Sequence, residues 1–253
     1  MIAYFFEGEQ YLTYIQEKLG IQMINKEVET PYGKQKILID NADSVIWFYN
    51  AGHYKNMADA DVPRSVAYIM QIMNVSGFVM ISKVGGINKL LNVGDVMIMD
   101  DYIDRTSIYD FSYKNNLMEE IPRYDMSDPF SEEWRESVFN KLVKDNIIKS
   151  NIYNRGIYIC TNGPGFESKA EIGWYKMIGA DVVGHYLSPY IYYCRELGIS
   201  CMAASIISNN YHTKDLLVDD DKTKDVICAI YKAAGEFNDH WKEETKEHWI
   251  RNL

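Results

Sequence analysis

Cysteine is sparse in this chain of 253 residues, and its four copies, Cys160, Cys194, Cys201 and Cys228, are dispersed. Each is flanked by apolar residues and no CxxC pair occurs, so neither a disulfide framework nor a paired-thiol metal site is expected, only buried free thiols. Positive charge is also in short supply. The 26 Lys and Arg stand against 36 Asp and Glu, a net charge of −10, without a basic cluster. A polyanion requires such a cluster, which excludes nucleic acid as a partner. No apolar stretch approaches the length of a membrane span. The opening MIAYFFEGEQ lacks the basic start and long apolar run of a signal peptide. A cytoplasmic protein with no membrane partner is the expectation. Internal repeats, low-complexity tracts and Pro/Gly/Ser-rich linkers are missing too, so residues 1–253 read as one domain.

What the chain does have is apolar material, 47% of residues, with 13% aromatic, enough for a buried sheet under helices. Short apolar runs at Ile2–Phe6, Ser44–Tyr49, Gly77–Ser82, Val96–Met99, Gly156–Cys160, Asp181–Val183 and Ile199–Ile206 read as strands. Most are continuous rather than alternating, as a sheet buried on both faces requires. Ser131-Glu132-Glu133 opens a helix with carboxylates at its positive end. Ser168-Lys169-Ala170-Glu171 is a capping-box pattern whose helix should stop at Gly179. Ser188-Pro189 starts another helix that Gly198 closes, and a last amphipathic helix is read from about Asp221 to His248. The fold class is α/β: a central mixed, largely parallel sheet flanked by helices. The acidic run Asp219-Asp220-Asp221 lacks calcium-loop spacing and reads as a solvated loop. Three strand–loop–helix junctions, Ser82 to Asn88, Thr161 to Ser168 and Ile206 to Tyr211, would converge on one cleft if their strands are parallel neighbours.

Four segments stand in order: Ser82-Lys83-Val84-Gly85-Gly86-Ile87-Asn88 with Val93-Gly94-Asp95; Thr161-Asn162-Gly163-Pro164-Gly165-Phe166-Glu167-Ser168; Gly179-Ala180-Asp181-Val182-Val183-Gly184; and Ile206-Ile207-Ser208-Asn209-Asn210. In this order and spacing they resemble the trimeric purine nucleoside phosphorylases and the related methylthioadenosine phosphorylases, over about Thr30-Pro31-Tyr32-Gly33 to Asn210. Asp104-Arg105-Thr106 is similar to the methylthioadenosine branch in particular. The resemblance implies the nucleoside phosphorylase fold and cleavage of a purine nucleoside. It also implies a homotrimer or hexamer, no organic cofactor or metal, and inorganic phosphate as co-substrate. Residues 121–128, from Ile121 to Asp128, would contribute to a neighbour's pocket.

Breaking a nucleoside C–N bond builds negative charge on the departing base, so the site must donate hydrogen bonds to it. By resemblance, Asn209 supplies that donor at purine N7. Glu167 accepts from the base's ring N–H and favours a 6-oxopurine. Phe166 packs on the base, while Val84 and Gly85 pass backbone close to the ligand. Taken alone, Glu167 also reads as a helix-start acid, Phe166 as core and Asn209-Asn210 as a turn pair.

The phosphate-binding pattern is broken. The family's Gly-rich turn after the first strand is Phe6-Glu7-Gly8-Glu9 here, and its arginine position reads Asn50-Ala51-Gly52, leaving only His53 of an Arg-x-His pattern. Tyr186 stands where the family has Ser or Thr, and Lys83 replaces a small residue. His53, His185 and Lys83 are candidates for a different anion site, with Arg105 more remote. His185 takes the place of a methionine beneath the ribose, where an imidazole would orient the sugar or serve water as a base. Phosphorolysis, hydrolysis by a nucleosidase, and non-catalytic nucleoside binding all stay open at this level.

Overall fold

The structure, a computed structural model, describes residues 1–6, 8–40, 42, 44–49, 61–106, 124–211 and 220–236. In chain order its first elements are β1 (Ile2–Phe6), α1 (Glu9–Leu19), β2 (Met23–Thr30), β3 (Gly33–Asp40), β4 (Val45–Tyr49) and α2 (Asp61–Ile72). Next come β5 (Gly77–Gly86), β6 (Val96–Ile98), β7 (Asp101–Asp104), α3 (Glu132–Asp145), β8 (Ile152–Tyr153) and β9 (Ile157–Cys160). The described part ends with α4 (Lys169–Met177), β10 (Val182–Gly184), α5 (Tyr190–Leu197), β11 (Ser200–Asn210) and α6 (Asp220–Gly235).

All eleven strands join one mixed sheet. The strand β1 shows why central runs are continuously apolar. Ala3 and Phe5 pack with α2 and α5 on one face, while Tyr4 and Phe6 pack with α1, α3 and α6 on the other. Both faces are covered, so alternation disappears. The read helix starts hold: Ser131 Oγ accepts from Trp134 N at 3.1 Å, and Ser168 with Glu171 completes the reciprocal capping box of α4. The read helix boundaries at the glycines and Pro189 hold too. Helix α4 stops at Met177 with Ile178 as its cap, and Gly179 follows at φ 94°. Pro189 is the N-cap of α5, and Gly198 closes it in the left-handed region. The last helix is described only as Asp220–Gly235, and its read extension to His248 lies outside the described residues.

The feature that positions the site is a fork at β5. Along one edge β11 pairs with it in parallel from Ser200↔Gly77 to Asn210↔Gly86. Along the other edge β1 pairs in parallel only from Ile2↔Gly77 to Phe6↔Ile81. Then β10 takes over, antiparallel, at Val183↔Gly85 and Val182↔Gly86. Between them, at Ser82–Val84, β5 is in register with neither. The antiparallel β5–β10 pair corrects the idea of three parallel neighbours sharing one carboxyl edge. The ends of β9 and β10 run back toward the fork instead, since these two strands pair in parallel through Cys160↔Gly184.

Two acidic residues from the sequence motifs tie this region together. Asp181 Oδ1 accepts from Asn88 Nδ2 at 2.8 Å and its Oδ2 from Ile157 N at 2.9 Å. Buried Asp95 accepts from Asn92 N at 2.8 Å and Asn151 N at 3.0 Å, and its carbonyl accepts from Ile207 N at 2.9 Å. Both explain as structure what the motifs carried as pattern.

Candidate functional site

The floor of the site is a row of three residues across β11, β5 and β10. The register of β11 slips between Ile207 and Asn209, which sets Asn209 opposite Gly85; an extra residue of this kind re-aims a side chain. On the other edge Gly85 faces Val183. A Cβ on Gly85 would stand 3.2 Å from Val183 Cγ1 and 3.7 and 3.8 Å from the Asn209 amide. The bare Gly85 therefore lets a flat group lie close to the backbone beside that amide. Ser208 Oγ lies 3.0 Å from Asn209 Oδ1 and 3.1 Å from the Val84 carbonyl. The single Ser208 proton is shared between these two acceptors, which places the oxygen end of the Asn209 amide next to Ser208.

At the other end of the site β9 and β10 finish side by side. Thr161 N donates to Gly184 O at 2.9 Å. Thr161 Oγ1 donates to Glu167 Oε1 at 2.8 Å and lies 2.8 Å from His185 Nδ1. The same ring nitrogen is 3.0 Å from the Thr161 carbonyl. Thr161 and His185 are both buried, so Glu167 is anchored to the sheet rather than standing free at the start of α4. Below them, burial pushes the Cys160 thiol up to about 12, which makes it inert at neutral pH.

The remaining sequence-read residues divide. Val84 is buried in the core, with only its backbone turned to Ser208. Tyr186 is buried, its ring 5.9 Å from that of Phe5 and its N–H donating to Tyr158 Oη at 3.2 Å. Lys83 points to the opposite face from Val84, with Nζ 5.7 Å from the Tyr11 ring on α1. Arg105 lies over the Trp174 ring at 4.7 Å. Lys83 and Arg105 thus sit on different elements, and Arg105 follows β7 beside the end of β9, its N–H donating to the Cys160 carbonyl at 2.8 Å. Phe166 is 83% exposed. His53, Glu7 and residues 50–52 lie outside the described residues, as do residues 121–123. Sequence reading singled out neither Thr161 nor Ser208. Each ends or interrupts an apolar strand with a hydroxyl, and that was the available signal.

The described residues thus offer a carboxylate held by Thr161 at Glu167 and a side-chain amide at Asn209 beside the bare backbone of Gly85. Among the described residues, no group of three or more His, Cys, Asp or Glu is placed to hold a metal ion, and no helix is long and apolar enough to cross a membrane.

Residues 23–243 match the family model described as the phosphorylase superfamily. The chain is 29% identical over 226 residues to a probable S-methyl-5'-thioinosine phosphorylase of Methanocaldococcus jannaschii, covering 87% of this chain and 86% of the relative. It is 28% identical over 226 residues to a 6-oxopurine nucleoside phosphorylase of Pyrococcus furiosus, covering 81% and 83%. Among solved structures, a methylthioadenosine phosphorylase from an antarctic soil metagenomic library superposes with a TM-score of 0.77 at 20% identity, covering 92% of this chain and 84% of that one. A methylthioadenosine phosphorylase of Schistosoma mansoni gives 0.77 at 17% identity, covering 92% and 89%. At these identities the two structures speak for the fold.

Proposed function

Because this chain belongs to the phosphorylase superfamily, we propose that it cleaves the N-glycosidic bond of a purine nucleoside, favouring a 6-oxopurine, and transfers the pentosyl group to phosphate. The C1'–N9 bond breaks with its electron pair leaving on the base, and a C1'–O bond to phosphate forms. The carrying observation is the contiguous row from the Asn209 amide across bare Gly85 to Val183, with the anchored Glu167 beyond it. In this reading Glu167 accepts from the ring N–H of the base and the Asn209 amide donates to N7 as negative charge develops there. Two relatives whose names specify 6-oxopurine or thioinosine substrates, at 28% and 29% identity, support the base preference.

Incubation with inosine, guanosine or methylthioadenosine, with and without phosphate, tests the proposal. Ribose 1-phosphate, or its methylthio counterpart, is the expected sugar product. A rate indifferent to phosphate, with free sugar released, moves the assignment to hydrolysis. That second reading draws on the changed phosphate pattern, in which Tyr186 packs against Phe5 and Lys83 turns toward α1. Binding without turnover of any of the three would leave a nucleoside-binding protein.

The same reading includes a cytoplasmic homotrimer acting as one domain without organic cofactor or metal. Four buried, unpaired thiols support a reducing compartment. Exposed Phe166, Trp174, Met177 and Ile178, on and beside α4, support a subunit contact there. Sedimentation of the purified chain decides the assembly.

A further inference from the structure

The hydrogen bonds among His185, Thr161 and Glu167 have only one consistent direction. A backbone carbonyl accepts and never donates, so the 3.0 Å contact from His185 Nδ1 to Thr161 O puts the proton on Nδ1. That N–H is shared with Thr161 Oγ1 at 2.8 Å, which occupies a lone pair of the hydroxyl. The hydroxyl proton is thereby committed to Glu167 Oε1 at 2.8 Å. Each bond polarises the next in a buried setting, and such chains strengthen cooperatively. The outcome is a carboxylate whose Oε1 is held from inside the fold, which leaves Oε2 to serve a ligand.

We propose that Thr161 and His185 are positioning residues that hold Glu167 as an aimed acceptor, and so make the site select purines bearing a ring N–H at that edge over 6-aminopurines, whose ring nitrogen there has no proton. This rests on the nucleoside reading above but adds what sets the base preference. An unanchored Glu167 on its loop would rotate and meet either base equally poorly. An anchored one rewards the N–H donor and repels the bare lone pair. Both act through Glu167, and the inosine-to-adenosine ratio isolates that role, because any contact of the His185 ring with the sugar is shared by the two nucleosides.

The test compares kcat/KM for inosine and adenosine, with phosphate present, in the wild type and in four variants. Thr161→Val keeps the shape and the carbonyl but removes the hydroxyl. The expected loss is about tenfold to 100-fold for inosine, carried by KM, with adenosine little changed, so the preference narrows. Thr161→Ser restores the link and the preference. His185→Leu removes the Nδ1 donor and narrows the preference likewise, whereas His185→Asn, whose Nδ2 overlays Nδ1, retains most of it. An unchanged inosine-to-adenosine ratio in both Thr161→Val and His185→Leu overturns the proposal. So does a loss in Thr161→Val that serine fails to rescue, since that marks a packing effect. Failure of the nucleoside reading is visible separately, as a wild type that turns over neither substrate. A second measurement does not depend on substrate. Proton–nitrogen correlation NMR of the His185 ring is expected to show the Nδ1–H tautomer, and an Nε2–H ring overturns the chain of bonds outright.

Discussion

Replacing Asn209 separates recognition from folding, because its side chain is exposed between the half-buried Ser208 and the buried Asn210 near the end of β11. Asn209→Ala removes one donor from a developing negative charge, a loss of about 2.7–4 kcal/mol, or roughly 10²–10³ in rate. Asn209→Asp keeps the shape and the Oδ1 that Ser208 approaches at 3.0 Å, but puts a carboxylate where the amide donor stood. The added repulsion is about 1–2 kcal/mol for a partly solvated pair, a further ~5–30-fold. Stability should stay within about 0.5 kcal/mol for both, as expected of an exposed site. The assay is kcat/KM for inosine with saturating phosphate, run beside thermal unfolding. A ranking of wild type, then Ala, then Asp supports the donor role. Asn209→Ala within tenfold of wild type, or Asp more active than Ala, would refute it.

Other outcomes follow from the same geometry. Asp95→Asn turns one of the buried oxygens that accept from Asn92 N and Asn151 N into a donor. A cost of about 3 kcal/mol is expected, lowering Tm by roughly 6–12 °C in a chain of this size, measured by calorimetry. Gly184→Ala would place its Cβ 2.1 Å from Tyr158 Oη, so it should unfold or misassemble the β9–β10 end, seen as loss of soluble protein. Burial alone would raise the Asp40 carboxyl, but hydrogen bonds from Ser44 and Val45 outweigh it and hold it below the ordinary carboxylate range. Its stabilisation is present above that range and is lost as pH falls through the depressed native value, so Asp40→Asn should flatten the acid limb of an unfolding profile. All four thiols are buried and free, and a thiol reagent should therefore label none in the native protein within minutes and four after denaturation.

Where burial on both faces dictates an element, the sequence displays it. The runs at Ile2–Phe6 and Gly77–Ser82 are read as strands because nothing polar can be tolerated there. The hairpin of β2 and β3 escapes the same reading. Met23–Thr30 is exposed at four consecutive positions, Ile24 to Glu27, and again at Glu29, and sits at the sheet's edge. Its stability comes from pairing with β3 through eight registered residues, which leaves no apolar signature. The tails of β5 and β11 were likewise cut short, because Lys83 and Ser208-Asn209-Asn210 interrupt the apolar run while the backbone pairing continues. For the site, the motifs bring Glu167, Gly85 and Asn209 into view. The antiparallel β5–β10 seam and the contact of Thr161 with His185 join separate segments of the chain, and a local pattern does not encode those.

Strand β5 answers to two different neighbours along its length. Its inner residues, Gly77 to Ile81, are clamped between β1 and β11, while at its tip the short β10 replaces β1 along that edge. Mutations at the tip can therefore retune what is gripped while the trunk goes on carrying the weight of the molecule. A lineage could exchange one nucleophile or base for another here without first having to become more robust.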